Sequence, residues 1–212
     1  MTDSEDRTLE IGPSPDYYGY CPLILLARPV VLAGHLTEYT RAVAYRTSSL
    51  LGIPYHDVDR LIEHEIGSTL DRLIAVEGVP EYRNIEARCL IRVLREKPFG
   101  LIALGDGGLL CRDNLQRVHD QAHLVVLDFD LANLYWRIQR LSQQRDSARW
   151  HPLFEALPAS VNDLRPFYDE RRSGFEVAAL RIDANGLDPA AACSLLMEWL
   201  QGQQSHETAP IP

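Results

Sequence analysis

Carboxylates and glycines placed just behind apolar runs are the residues of this chain best suited to chemistry. Asp57 and Asp59 form a D-x-D pair at the end of Ile53-Pro-Tyr-His-Asp57. Gly105-Asp106-Gly107-Gly108 follows the run Phe99 to Leu104, and Gly34-His-Leu-Thr-Glu-Tyr-Thr-Arg-Ala42 follows Pro29 to Ala33. Asp57, Asp59, Asp106 and Glu38 are oxygen ligands of the kind that suit magnesium, manganese or calcium. Arg41 can neutralise the same groups, so no metal site is expected. Asp59 and Asp106 are also the candidates for a general acid or base. Each signal has a plainer reading. A D-x-D after a strand is often a helix N-cap, an arginine on a helix is usually solvated, and a G-x-G turn alone says little. His35 and His56 flank the region, where a lone histidine is more often structural than a ligand or base.

These segments are positioned by an alternating pattern. Short apolar runs at 29–33, 53–57, 99–104, 123–127 and 180–183 read as buried strands. Between them, helical patterns cover 40–51, 59–76, 81–96, 113–120, 130–143, 161–173 and 189–200, the last with Asp188 as N-cap and Pro189 at its first position. Strands alternating with helices imply a three-layer α/β/α domain around a central five-stranded parallel sheet. Ligands in such folds bind at the carboxyl ends of strands, where the three segments above fall.

Composition sets outer limits. With 212 residues, 46% hydrophobic and 24% charged, the chain suits one well-cored globular domain. A formal net charge of −9 argues against a nucleic-acid or anionic-membrane surface. Four scattered cysteines form no CxxC pair, which fits a reducing cytoplasm. The acidic N-terminal stretch does not have the pattern of a signal or transit peptide. The expected organisation is a flexible arm over 1–20, a folded domain over 21–202 and a disordered tail over 203–212.

The run Val30 to Asp59 resembles the opening of the shikimate kinase family, in which a strand and a phosphate loop of the form GxxGxGK[ST][ST] lead to a D-x-D pair. The resemblance continues through VEGVPEYRNIE (Val76 to Glu86), LIALGDGG (Leu101 to Gly108), HPLF (His151 to Phe154), ERRSGFEVA (Glu170 to Ala178) and RIDANGLDP (Arg181 to Pro189). It implies a P-loop kinase-like fold. By resemblance, Asp57 would hold magnesium through water and Asp59 would bind substrate hydroxyls. Arg83 and Arg171 would clamp a substrate carboxylate, and Gly105 and Gly107 would bring backbone N–H groups to the substrate ring.

The chain departs from that family at its phosphate loop. Of the family's glycines only Gly34 stands, Glu38 puts a carboxylate beside the phosphate position, Thr40 replaces the lysine, and Arg41 occupies the first Ser/Thr position. A cradle of this kind needs glycine N–H groups, a lysine and a magnesium-binding hydroxyl. Lys97 is the sole lysine of the chain and lies at the opposite edge of the sheet. Arg41 is expected to pair with Asp57 and fill the magnesium position. The family's lid Arg-Pro-Leu reads His151-Pro-Leu here, with Arg149 the nearest substitute. ATP and magnesium binding are therefore expected to be weak or absent. The resulting expectation is a pseudokinase that keeps a pocket for a small hydroxylated carboxylate and serves as a ligand-binding or partner-binding protein, with a protein partner or homodimer possible. The alternatives are an enzyme acting on a cyclic hydroxy acid without ATP, or a kinase with a non-standard loop.

Overall fold

The computed structural model describes residues 26–97, 99–105, 107–143 and 157–207, with side chains through 203. Its elements run β1 (Val30–Gly34), α1 (Thr37–Leu51), β2 (Tyr55–Asp57), α2 (Val58–Ile66), α3 (Leu70–Glu96), β3 (Leu101–Ala103), α4 (Arg112–Gln121), β4 (His123–Asp128), α5 (Leu131–Gln143), α6 (Val161–Phe175), β5 (Leu180–Asp183) and α7 (Pro189–Glu207). The strands form one five-stranded sheet in the order β2-β3-β1-β4-β5. Every pairing is parallel, with Leu32 opposite Ala103 on one side and Val125 on the other.

Alternation along the strands divides the core into two layers. Val30, Leu32, Leu101, Val125 and Leu127 face a cluster with Val43, Ile138, Leu164 and Leu196 from α1, α5, α6 and α7. Val31, Ala33, Ile102, Leu124 and Val126 face the other side, against Ile62, Leu90 and Val118 from α2, α3 and α4. A strand with both faces covered must be apolar throughout, and β1 is buried at all its positions.

Several boundaries differ from the sequence reading, three of them for a local reason. Helix α1 starts at Thr37, not Thr40, because Thr37, Glu38 and Tyr39 all sit in a helix at lower cost than glycine would. The helical stretch read as 59–76 breaks at Gly67, which takes the left-handed conformation, and restarts after Thr69, whose hydroxyl caps α3 by accepting from the Arg72 N–H. The break expected before residue 81 is a kink at Gly78 within α3, two residues ahead of Pro80. Helix α7 continues to Glu207, past the expected end at Leu200. Among the described residues, no helix is long and apolar enough to cross a membrane.

Candidate functional site

Asp57 ends β2 and caps α2, accepting from the Arg60 N–H at 3.2 Å. The N-cap reading of the D-x-D pair is therefore realised, but it does not exhaust the residue. Asp57 Oδ2 also lies 2.8 Å from Arg41 Nε, an ion-pair contact without hydrogen-bond alignment. Asp59 sits in the first turn of α2 and is buried; its Oδ2 accepts from Arg41 Nη2 at 2.8 Å. Arg41 thus closes on both carboxylates, one more than the expected partner. Tyr55 donates weakly to Asp57 at 3.4 Å, and burial followed by the Asp57 charge holds its hydroxyl well above the usual phenol range.

A chain of contacts runs on from Asp59 into α3. Tyr82 Oη lies 3.2 Å from Asp59 Oδ1 and 3.2 Å from Glu86 Oε1. Glu86, only 1% exposed, accepts from Arg83 Nη1 through its other oxygen at 2.7 Å. Helical spacing explains the grouping: Arg83 and Glu86 are three apart, Tyr82 and Glu86 four apart. The glycine turn after β3 packs directly on this chain. A Cβ on Gly105 would fall 2.7 Å from Glu86 Oε1 and 2.9 Å from Asp59 Oδ1, and one on Gly107 would fall 1.9 Å from Arg83 Nη2. These two glycines are there because the site approaches their backbone too closely for a side chain.

Arg171 lies on α6. It is buried, donates through Nη1 to the Phe167 carbonyl at 3.0 Å and to Glu170 at 3.1 Å, and its Cζ lies 3.4 Å from the centre of the Phe167 ring. A later turn of α6 touches the glycine turn, where a Cβ on Gly174 would meet Leu109 at 3.2 Å.

The turn between β1 and α1 comprises two residues, His35 and Leu36. His35 is buried with its ring stacked on Tyr168 at 4.4 Å and edge-on to Phe175 at 4.8 Å. Thr40 spends its hydroxyl and N–H on the Leu36 carbonyl, closing the first helical turn. A Cβ on Gly34 would fall 2.7 Å from the Leu127 carbonyl oxygen. Tyr39 reaches away across the sheet end. It packs edge-on to Phe129 at 5.1 Å and donates to the Leu187 or Asp188 carbonyl, each 3.2 Å away. Arg137 covers both rings, 4.7 Å from Tyr39 and 4.9 Å from Phe129, and also donates to Leu187. Burial raises the Tyr39 pKa, offset in part by Arg137, so the phenol stays a neutral donor. Glu38 lies in the first turn of α1, half-buried.

Of the residues singled out from sequence, Arg41, Asp57, Asp59, Arg83, Gly105 and Gly107 come together. Asp106, Arg149 and His151 lie outside the described residues. Tyr82 and Glu86 were not singled out, although their spacing from Arg83 was the available signal. Tyr39 carries no role in the sequence pattern, and nothing in the sequence ties it to Arg137, nearly a hundred positions away.

A family profile described as shikimate kinase matches residues 41–201, beginning just after the β1–α1 turn. A shikimate kinase from Salinibacter ruber is 30% identical over 182 residues, covering 80% of this chain and 86% of that protein. A shikimate kinase from Caulobacter vibrioides is 29% identical over 116 residues, so the match spans 58% of that relative's length. Among solved structures, shikimate kinase from Acinetobacter baumannii in complex with shikimate superposes with a TM-score of 0.69 at 20% identity, covering 83% of this chain and 94% of that one. Shikimate kinase from Bacteroides thetaiotaomicron gives 0.67 at 19% identity, covering 82% and 98%. At these identities the structural likeness concerns the fold.

Proposed function

The chain belongs to the shikimate kinase family, and we propose that within it this protein binds a hydroxylated carboxylate without transferring phosphate from ATP. The observation that carries this reading is the position of Arg41, 2.8 Å from both Asp57 and Asp59. A guanidinium there supplies the positive charge that a hydrated divalent cation would bring, and occupies its place.

The β1–α1 turn is also poorly shaped for ATP–magnesium. A phosphate cradle needs a loop wide enough to surround its ligand with backbone N–H groups. Here the turn is two residues long, and the Thr40 N–H is committed to Leu36. The Thr40 hydroxyl is committed to the same carbonyl. Tyr39 and His35 direct bulky rings into the space on either side of the turn.

On the acceptor side the residues fit an acid bearing hydroxyl groups. Arg83 has five N–H donors in a planar fork, of which Nη1 serves Glu86. From its place beside Glu86 it can turn to a ligand carboxylate, and Gly107 keeps the approach narrow. Asp59 accepts hydroxyl protons, and its burial strengthens such bonds relative to water. An acid–base role for Asp59 is disfavoured by the same geometry, because Arg41 and Tyr82 already occupy its two oxygens. The resulting protein senses or sequesters its ligand, or presents a ligand-dependent surface to a partner.

Thermal denaturation with shikimate and with ATP–magnesium, alone and together, tests the proposal, since a ligand specific to the native state raises Tm by mass action. The expected result is a rise with shikimate and none with ATP–magnesium. A rise with ATP–magnesium, or none with shikimate or related cyclohexane acids, overturns it.

A further inference from the structure

Tyr82 stands between two carboxylates with one proton to give. Its hydroxyl oxygen lies 3.2 Å from Asp59 Oδ1 and 3.2 Å from Glu86 Oε1. A phenol donates a single hydrogen bond. The arrangement on its two sides is closely symmetrical. Asp59 gives Oδ2 to Arg41 at 2.8 Å, and Glu86 gives Oε2 to Arg83 at 2.7 Å. Each carboxylate therefore has one oxygen on an arginine and the other on Tyr82. Both are buried, at 5% and 1% exposure, so the loss of the phenol proton at either end is not compensated by bulk water. Gly105 packs close over all three oxygens; a Cβ there would lie 3.1 Å from Tyr82 Oη and closer still to the two acids.

We propose that the Tyr82 hydroxyl is a two-position switch that couples the Arg41–Asp59 pair to the Arg83–Glu86 pair, so that the site favours ligands carrying a carboxylate and a hydroxyl together. The phenol donates to whichever carboxylate is the stronger acceptor at that moment. A ligand carboxylate that draws Arg83 towards itself weakens the Arg83–Glu86 contact and leaves Glu86 the stronger acceptor. The phenol then turns to Glu86. Asp59 Oδ1 is released to accept a hydroxyl from the same ligand. The acid thus opens the acceptor that the hydroxyl uses, and neither group alone gains the full effect. Tyr82 is a positioning residue in this scheme, since it acts through Asp59 and Glu86.

The inference rests on the ligand class proposed above, and the test separates the two. Calorimetric titration with shikimate and with its uncharged methyl ester is made on the wild type and on Tyr82→Phe. The switch makes the preference for acid over ester fall by roughly fivefold in Tyr82→Phe, the worth of one ordinary hydrogen bond. A merely structural tyrosine would weaken both ligands alike, and an unchanged preference overturns the switch. Absence of shikimate binding to the wild type would sink the ligand reading instead. The switch is then decided on the unliganded protein by a double-mutant cycle of Arg41→Lys and Arg83→Lys, which keep the charges but lose the planar fork. Coupling in denaturant stability that is present with Tyr82 and lost in the Tyr82→Phe background supports it, and equal coupling in both backgrounds overturns it.

Discussion

Two regions at the carboxyl ends of the strands hold their polar residues in opposite ways. On the acceptor side, Asp59, Glu86 and Arg83 are buried or half-buried, and each is bonded to another polar group across bare glycine backbone. On the side of the β1–α1 turn, rings fill the space: His35 against Tyr168 and Phe175, and Tyr39 against Phe129 beneath Arg137. A polar network of the first kind is costly to keep unless something uses it, because buried charges stabilise less than well-packed apolar residues of similar volume. A packed turn of the second kind is stabilising in its own right. The contrast suggests that selection for stability alone accounts for the turn and does not account for the acceptor side.

The largest effect should come from breaking the packed turn. Tyr39→Ala removes a buried ring with two carbonyl acceptors and strands Arg137 over the gap, at a cost of about 3–5 kcal/mol. Denaturant unfolding measures it. If the turn were a mobile phosphate loop, the cost would be near zero and the comparison would fail.

Arg83→Ala tests the other side. It leaves the Glu86 carboxylate buried without its ion-pair partner, and removing one member of such a pair costs roughly 3 kcal/mol, at the lower end for buried pairs because Arg83 is itself 21% exposed. The same change should abolish the Tm rise with shikimate. A variant that loses stability but keeps the ligand response would show that Arg83 is scaffold and not site.

How far the sequence reached follows the same division. The sheet and its two core layers were legible because each strand is a short, continuous apolar run and each helix has its own period. The Arg41–Asp57 contact was legible because the D-x-D pair closes β2 and Arg41 lies early in the helix that follows β1, both at the carboxyl ends of one parallel sheet with β3 between them. Its extension to Asp59 was not, since that depends on a side-chain reach no pattern encodes. The early start of α1 was missed because Gly34 drew the reading towards a loop, whereas Thr37 to Thr40 simply continue the helix. Tyr39 on Leu187 and Asp188 joins segments distant in sequence, and nothing local in either announces the other.

Arg41→Ala should sharpen the comparison with a smaller change in stability. Removing the guanidinium leaves Asp57 and Asp59 as neighbouring carboxylates, and part of the loss is relieved because Asp57 keeps its capping bond to Arg60 and the site can admit water. The cost is about 1–2 kcal/mol, within the ordinary range for point changes. The informative readout is cationic: magnesium or manganese should raise the Tm of Arg41→Ala and leave the wild type unmoved. Equal responses in both would mean that Arg41 does not stand in for a cation.

The smallest effect concerns the strand that carries Asp57. His56 precedes it on β2, half-buried at the sheet edge, with a buried Nε2 that makes no hydrogen bond. Burial lowers its pKa below the ordinary value of about 6.5, with a further push from Lys97. Above about pH 6.5 the imidazole is neutral both folded and unfolded, and it adds no pH dependence. As the pH falls below that value the unfolded chain takes the proton first, so stability is lost progressively until the folded-state pKa is passed. Urea unfolding between pH 7 and pH 5 should therefore show a steeper acid loss for the wild type than for His56→Gln. Parallel pH profiles in the two proteins would remove His56 from the account of acid stability.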